Sequence, residues 1–194
     1  MKVGTKSVLF GVHQFAIHPW IVAAAWWLLY GFPWDPRLWC AFFLHDLGYW
    51  GKPNMDGPEG ETHPEWAARI MGAVFGQRWG DFTLLHSRFY AKRLAKPFSR
   101  LCVADKLAIA LTPAWLYLRQ ASVTRELQEY MRGTAARTPA GPRSPVQWYS
   151  DVQAYCRAWA YEHRDGRDDT WTGTKRDLAL PNAAPHDDAT EGSR

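Results

Sequence analysis

Residues 38–50, LWCAFFLHDLGYW, place a histidine and an aspartate directly after an almost wholly apolar stretch. Asp35-Pro36 precedes the stretch as an N-cap and a proline at the first helical position, which predicts a helix over about 36–49. A carboxylate at the end of such a helix is costly to bury unless a cation meets it. Asp46 beside the imidazole of His45 therefore indicates a metal site, with an ion pair to an arginine as the alternative.

A second carboxylate lies on an apolar helical face within residues 99–111, SRLCVADKLAIAL. The neighbours of Asp105 at i−4, i−3, i+3 and i+6 are all apolar. Histidines accompany other core-like stretches, and singly each is typical of a hydrogen-bonded core residue. Together the imidazoles and carboxylates occupy successive helices, as in metal sites of helical bundles. The candidate ligands are His18, His45, Asp46, His63, His86 and Asp105.

His13 competes with His18 for the first position of this set. The two histidines lie five residues apart, which is not one helical turn, so only one can face the site unless the helix breaks. We prefer His18.

The whole chain predicts an all-α fold, because apolar residues recur at three and four positions and no useful strand-like alternation occurs. About six helices are expected, separated by a loop at 51–62 and other breaks. The first covers about 10–30, with a kink at Pro19 and a stop at Gly31. The others cover 36–49, 64–76, a stretch from Asp81 through LLHSRFYAKRLA, a stretch from Ser99 to near Pro113, and 146–163.

The domain organisation follows from composition. Residues 1–131 form the helical domain, 132–145 (RGTAARTPAGPRSP) read as a linker, and 146–164 as a C-terminal helix that packs on the bundle. Residues 165–194 form a polar tail that we expect to be disordered, because it holds too little apolar surface to order itself.

Composition also excludes several classes of protein. A chain of 194 residues with 47% hydrophobic and 22% charged residues is neither a disordered protein nor a disulfide-stapled peptide. Three cysteines predict reduced thiols and, with no signal peptide, a cytoplasmic location. Interruptions at His18, Pro19, Gly31 and Pro33 argue against a membrane span. A net charge of +4 suits an anionic ligand, but without a basic stripe we expect no stable nucleic-acid complex.

The order H, HD, H, H, D, carried by LHDLGYWGK, THPEWAARIM, LLHS and VADKLA, resembles the HD-domain metal-dependent phosphohydrolase superfamily over about residues 9–118. The resemblance implies a single-domain bundle of the HD type. It also implies that a first divalent metal binds four of the candidates and that a second binds the added pair. These sets are His18, His45, Asp46 and Asp105 for the first metal, and His63 and His86 for the second.

The same resemblance implies a function. Asp46 and His45 would be the catalytic pair, and a metal-activated water would hydrolyse a phosphoester or phosphoanhydride bond of a nucleotide or similar small phosphorylated metabolite. One or two ions of manganese, iron, cobalt, nickel or zinc suit the mixed ligands. Arg88, Lys92 and Lys52 are the candidate substrate-binding residues.

Two other functions stay open at this stage. The complete His/Asp set also suits a di-iron oxygenase on the same scaffold. Tyr49 stands where one-metal members of the superfamily carry a catalytic glutamate, and Ser87 follows His86 where many two-metal members have paired histidines. These two departures leave open a catalytically silent metal- or nucleotide-binding module. The aromatic content also leaves a homodimer open.

Overall fold

The computed structural model describes residues 1–137 and 143–165, which form ten α-helices and no β-strand. The all-α prediction is confirmed for this part of the chain, with ten helices where about six were expected. The helices are α1 (Val3–Phe10), α2 (His18–Tyr30), α3 (Pro36–Leu44), α4 (Pro64–Phe75), α5 (Gln77–Leu84), α6 (Arg88–Arg93), α7 (Arg100–Leu111), α8 (Ala114–Thr124), α9 (Glu126–Arg137) and α10 (Pro145–Glu162). Short 3₁₀ turns occur at Leu47–Tyr49 and Gly60–Thr62.

The predicted helix over 10–30 is wrong in its first third. Residues 11–17 form turns, and α2 begins only at His18, with Pro19 in its first turn. At Gly11 the backbone passes so close to Glu126 that a Cβ would lie 2.1 Å from a carboxylate oxygen. The C-terminal end is as predicted, since Gly31 stops α2 with φ +87°, a conformation that favours glycine.

The helix that precedes the His-Asp pair is shorter than the predicted 36–49. It begins as expected, because the Asp35 side chain accepts a hydrogen bond of 2.9 Å from the Arg37 amide. It ends at Leu44, and a 3₁₀ turn follows Asp46. The chain therefore bends where His45 and Asp46 lie, and both side chains are buried.

The single helix predicted from Asp81 is two helices, α5 and α6, separated at 85–87. His86 and Ser87 are buried at the break, so tertiary packing overrides the helical pattern there. The predicted linker is also partly helical, because α9 continues through Arg137. Residues 138–142 and the predicted tail beyond Asp165 lie outside the described residues.

Helix α7 occupies the centre of the fold and packs between α2 and α10. Its buried apolar side chains include Leu101, Cys102, Val103 and Leu107. The predicted helices over 64–76, from Ser99 and over 146–163 match α4, α7 and α10 closely. All three cysteines are free, and burial raises the pKa of the Cys102 thiol to about 12.

Within the described residues no single helix combines the length and apolarity needed to cross a membrane. Helices α7 and α8 satisfy the same criteria only as a pair that is bent by 102°.

Candidate metal centre

The six candidate ligands come together from five separate segments of the chain. Five of them are buried, and the Asp105 side chain is 16% exposed. They form two groups that share Asp46, with the ligand atoms of each group within 4.8 Å of one another. The first group is His18, His45, Asp46 and Asp105, and the second is Asp46, His63 and His86.

In the first group, imidazole nitrogens lie close to carboxylate oxygens. Nε2 of His18 lies 3.1 Å from Oδ1 of Asp105 and 3.2 Å from Oδ2 of Asp46. Nε2 of His45 lies 3.1 Å from the same Oδ2. Nevertheless, the two Nε2 atoms and this Oδ2 are buried without a hydrogen-bond partner. Buried polar atoms are rarely left so, and one cation among them would satisfy all three.

The second group uses the other oxygen of Asp46. Oδ1 lies 3.6 Å from Nε2 of His63 and 3.6 Å from Nε2 of His86, and these two nitrogens are 3.1 Å apart. Because Oδ2 faces the first group and Oδ1 the second, Asp46 belongs to both groups and could serve as a ligand in each.

Backbone carbonyls fix the rings of three histidines. Nδ1 of His45 lies 2.9 Å from the Phe42 carbonyl oxygen. Nδ1 of His63 lies 2.8 Å from the Gly60 carbonyl oxygen, and Nδ1 of His86 lies 2.6 Å from that of Thr83. A carbonyl oxygen only accepts, so each Nδ1 carries the proton and donates it. In the neutral form of each ring, Nε2 would therefore present its lone pair to the cluster, which is the tautomer that a metal ligand needs.

The electrostatics of the cluster are strongly coupled. Burial opposes the charge on Asp46, but His45 and His13 hold the pKa of its carboxyl well below the usual range. Burial also opposes a charge on His45, yet the carboxylates of Asp46 and Asp105 raise its pKa to about 10. For His63, burial and the neighbouring His86 lower the pKa well below its ordinary value. Without metal, the cluster therefore holds protons where a cation would otherwise balance the carboxylates.

A tyrosine and a glycine support the second group. The Tyr49 ring stacks on His63, with centroids 3.9 Å apart and planes 12° from parallel. Burial raises the pKa of the Tyr49 hydroxyl well above its ordinary value, and the negative charge of Asp46 raises it further. A Cβ on Gly48 would lie 1.9 Å from the His63 carbonyl oxygen. The pattern of histidines and carboxylates carried no signal for either contact.

His18, rather than His13, supplies a nitrogen to the first group. His13 lies in the turns that precede α2, and its Nδ1 lies 2.9 Å from Oγ of Ser7 and 3.5 Å from the buried carboxylate of Glu126. The His13 ring still borders the cluster, 5.8 Å from the His18 ring. The contact between His13 and Glu126 could not be predicted from the sequence, because the two residues are 113 positions apart.

The candidate substrate-binding residues do not converge on one point. The Arg88 guanidinium lies 5.2 Å from the centroid of the Trp159 ring and 3.4 Å from the Tyr155 hydroxyl, both on α10. Lys92 is exposed on α6. Lys52 donates a hydrogen bond to the hydroxyl of Thr62, the residue before His63. Of the three residues, only Lys52 is hydrogen-bonded to a residue that is next in sequence to a candidate ligand.

The donor set of four imidazoles and two carboxylates fits one or two divalent cations. An all-helical fold with such a buried His/Asp cluster is consistent with a metal site of the HD type. Compared with protein-family models, curated proteins and solved structures, the chain matches none of them. What the molecule does is therefore inferred from the site.

Proposed function

We propose that this protein is a metal-dependent phosphohydrolase with an HD-type centre, acting on a nucleotide or similar small phosphorylated metabolite. One observation carries the proposal: the two oxygens of Asp46 face two separate groups of imidazole nitrogens. Asp46 could therefore serve as a ligand in both groups, and divalent cations held there would supply the positive charge that displacement at phosphorus needs.

The ligands divide between two cations. His18, His45 and Asp105 would hold the first, His63 and His86 the second, and Asp46 both. Bound divalent cations supply a water of lowered pKa and neutralise charge on the phosphoryl oxygens.

The protein's own groups have distinct tasks. The carbonyls that accept from Nδ1 keep the rings of His45, His63 and His86 in fixed orientations, so the ligands need little reorganisation during the reaction. The ammonium of Lys106 adds positive charge beside Asp105. Burial alone would lower its pKa, but Asp105 raises it above the ordinary value.

The test combines metal content with phosphate release. We expect one or two divalent ions per chain in the purified protein, measured by inductively coupled plasma mass spectrometry, and phosphate release from a panel of nucleotides. In Asp46→Ala both should fall, with release reduced by about a hundredfold or more, because even the loss of an outer partner of a metal ligand costs about 10- to 100-fold. Asp81→Asn removes a half-buried carboxylate that lies outside the cluster and pairs with Lys96, and it should change neither.

Other outcomes would reject the proposal. Metal without phosphate release from any substrate, with unchanged nucleotides recovered, would support a silent binding module. Oxygen consumption with bound iron, and no release under anaerobic conditions, would support an oxygenase. Absence of metal after reconstitution would leave the cluster as a buried polar network.

A further inference from the structure

A cavity of about 640 Å³ is lined in part by residues that directly follow the candidate ligand Asp46. Its walls come from α1, the turn that follows Asp46, and α4, and they include Leu47 and Gly48. Those two residues directly follow the shared candidate ligand Asp46. Gly48 also packs directly against the backbone of His63. The volume lies within the range of about 300–1,000 Å³ that small-molecule sites occupy.

Aromatic rings line this cavity without being packed into the core. Trp50 is 60% exposed, Trp66 is 43% exposed and Phe15 is 48% exposed. Large apolar side chains left open around a concave surface mark a ligand site more often than a structural one. Indole faces bind planar rings by stacking, and they do so for any nucleobase.

The charge of the lining favours an anion. Lys52 and Arg69 are its two charged residues, and no carboxylate is among the lining side chains. Arg69 is exposed and makes no ion pair with any residue in 1–137 or 143–165. Arg69 and Trp66 are three residues apart on α4, so they lie on the same face of that helix.

From these features we infer that the cavity binds a nucleotide, with its base against Trp50 and Trp66 and its phosphate on Arg69 and Lys52. Aromatic surface and two cationic side chains, in a lining that holds no carboxylate, match a ligand that joins a planar ring to a phosphate. The nucleotide is thereby assigned as the substrate of the centre at Asp46, and this last step rests on the proposed function. The binding itself does not.

Isothermal titration calorimetry on the purified full chain tests the inference. The probes are methylenephosphonate analogues of AMP, GMP, CMP and UMP, whose carbon bridge cannot be hydrolysed, against the same analogue of ribose 5-phosphate. We expect at least one nucleotide analogue to bind about tenfold or more tightly than the ribose analogue, since stacking of one base contributes about that factor. Equal affinities would overturn the inference, because the phosphonate alone would then account for binding.

Two pairs of variants locate the site. Trp66→Ala and Arg69→Gln should each weaken binding of the best nucleotide analogue by about tenfold. Trp115→Ala and Arg78→Gln change exposed residues of the same types outside the cavity and should leave the affinity unchanged. Equal losses in both pairs, or no loss in the first, would overturn the placement. A protein that binds the analogues but holds no metal would fail the hydrolase proposal alone.

Discussion

At the scale of single residues, the candidate centre depends on how closely the backbone packs behind its ligands. Gly48 is the tightest point, because a Cβ there would lie 1.9 Å from the carbonyl oxygen of His63. We expect Gly48→Ala to push His63 away from Asp46, to destabilise the protein by about 1–3 kcal/mol, and to reduce the bound metal. Thermal unfolding and metal analysis on the same samples measure both effects.

Gly72→Ala is the matched control for that variant. Gly72 lies within α4, and a Cβ there would meet Gly80 at 3.6 Å, an ordinary contact. Alanine in a helix is favoured over glycine by about 0.5–1 kcal/mol, so this variant should keep or gain stability and retain its metal. A Gly48→Ala protein as stable and metal-rich as Gly72→Ala would contradict the packing described behind His63.

That the six candidate ligands come together could be predicted in part from the sequence, because a carboxylate in an apolar helical stretch stands out against its neighbours. Asp46 and Asp105 are the clearest cases. His63 follows a polar loop and joined the set only through the order of histidines and carboxylates along the chain. The contacts of their neighbours could not be predicted in this way. Whether the Nδ1 of His86 meets the Thr83 carbonyl depends on where α5 ends, and the pattern predicted a helix that continued.

At the scale of elements, α7 depends on α10 for the carbonyls at its C-terminal end. The buried hydroxyl of Tyr149 lies 2.7 Å from the Ile109 carbonyl and 2.9 Å from the Thr112 carbonyl. We expect Tyr149→Phe to cost about 1–2 kcal/mol, because it leaves buried acceptors without this donor. Urea denaturation should show a lower midpoint with an unchanged slope. Tyr161→Phe, at an exposed position of α10, should leave the midpoint unchanged, and equal shifts would contradict the assignment.

Helices with clear end signals and a steady apolar period could be predicted well. Pro64 and Gly76 bracket α4 as expected. Helix α10 begins at Pro145, one residue before the predicted start, behind a capping box at Ser144 within the predicted linker. The failures occur where tertiary contacts decide the conformation. The turns after Gly11 follow from a packing partner on α9, and the short 85–87 break follows from the burial of His86.

At the scale of the whole molecule, the cluster joins segments from α2 to α7, so its charge state affects the stability of the entire fold. In metal-free protein, His18 and His45 have pKa values raised above the ordinary 6.5, to about 10 for His45. Their stabilising contribution is complete below about pH 6.5 and is lost as the pH rises through these folded values. His63 has a lowered pKa, so its contribution is lost as the pH falls below about 6.5.

The lowered pKa values of Asp46 and Asp105 add a further loss of stability on acidification, below about pH 4. In chelator, the melting temperature should therefore be highest near about pH 6.5 and fall on both sides. Added divalent metal should remove the alkaline fall, because coordination requires neutral imidazoles and rising pH strengthens it. His45→Gln should flatten the alkaline limb without metal. A metal-free melting temperature that keeps rising from about pH 6.5 to 9 would show that no such protonated imidazoles balance the carboxylates.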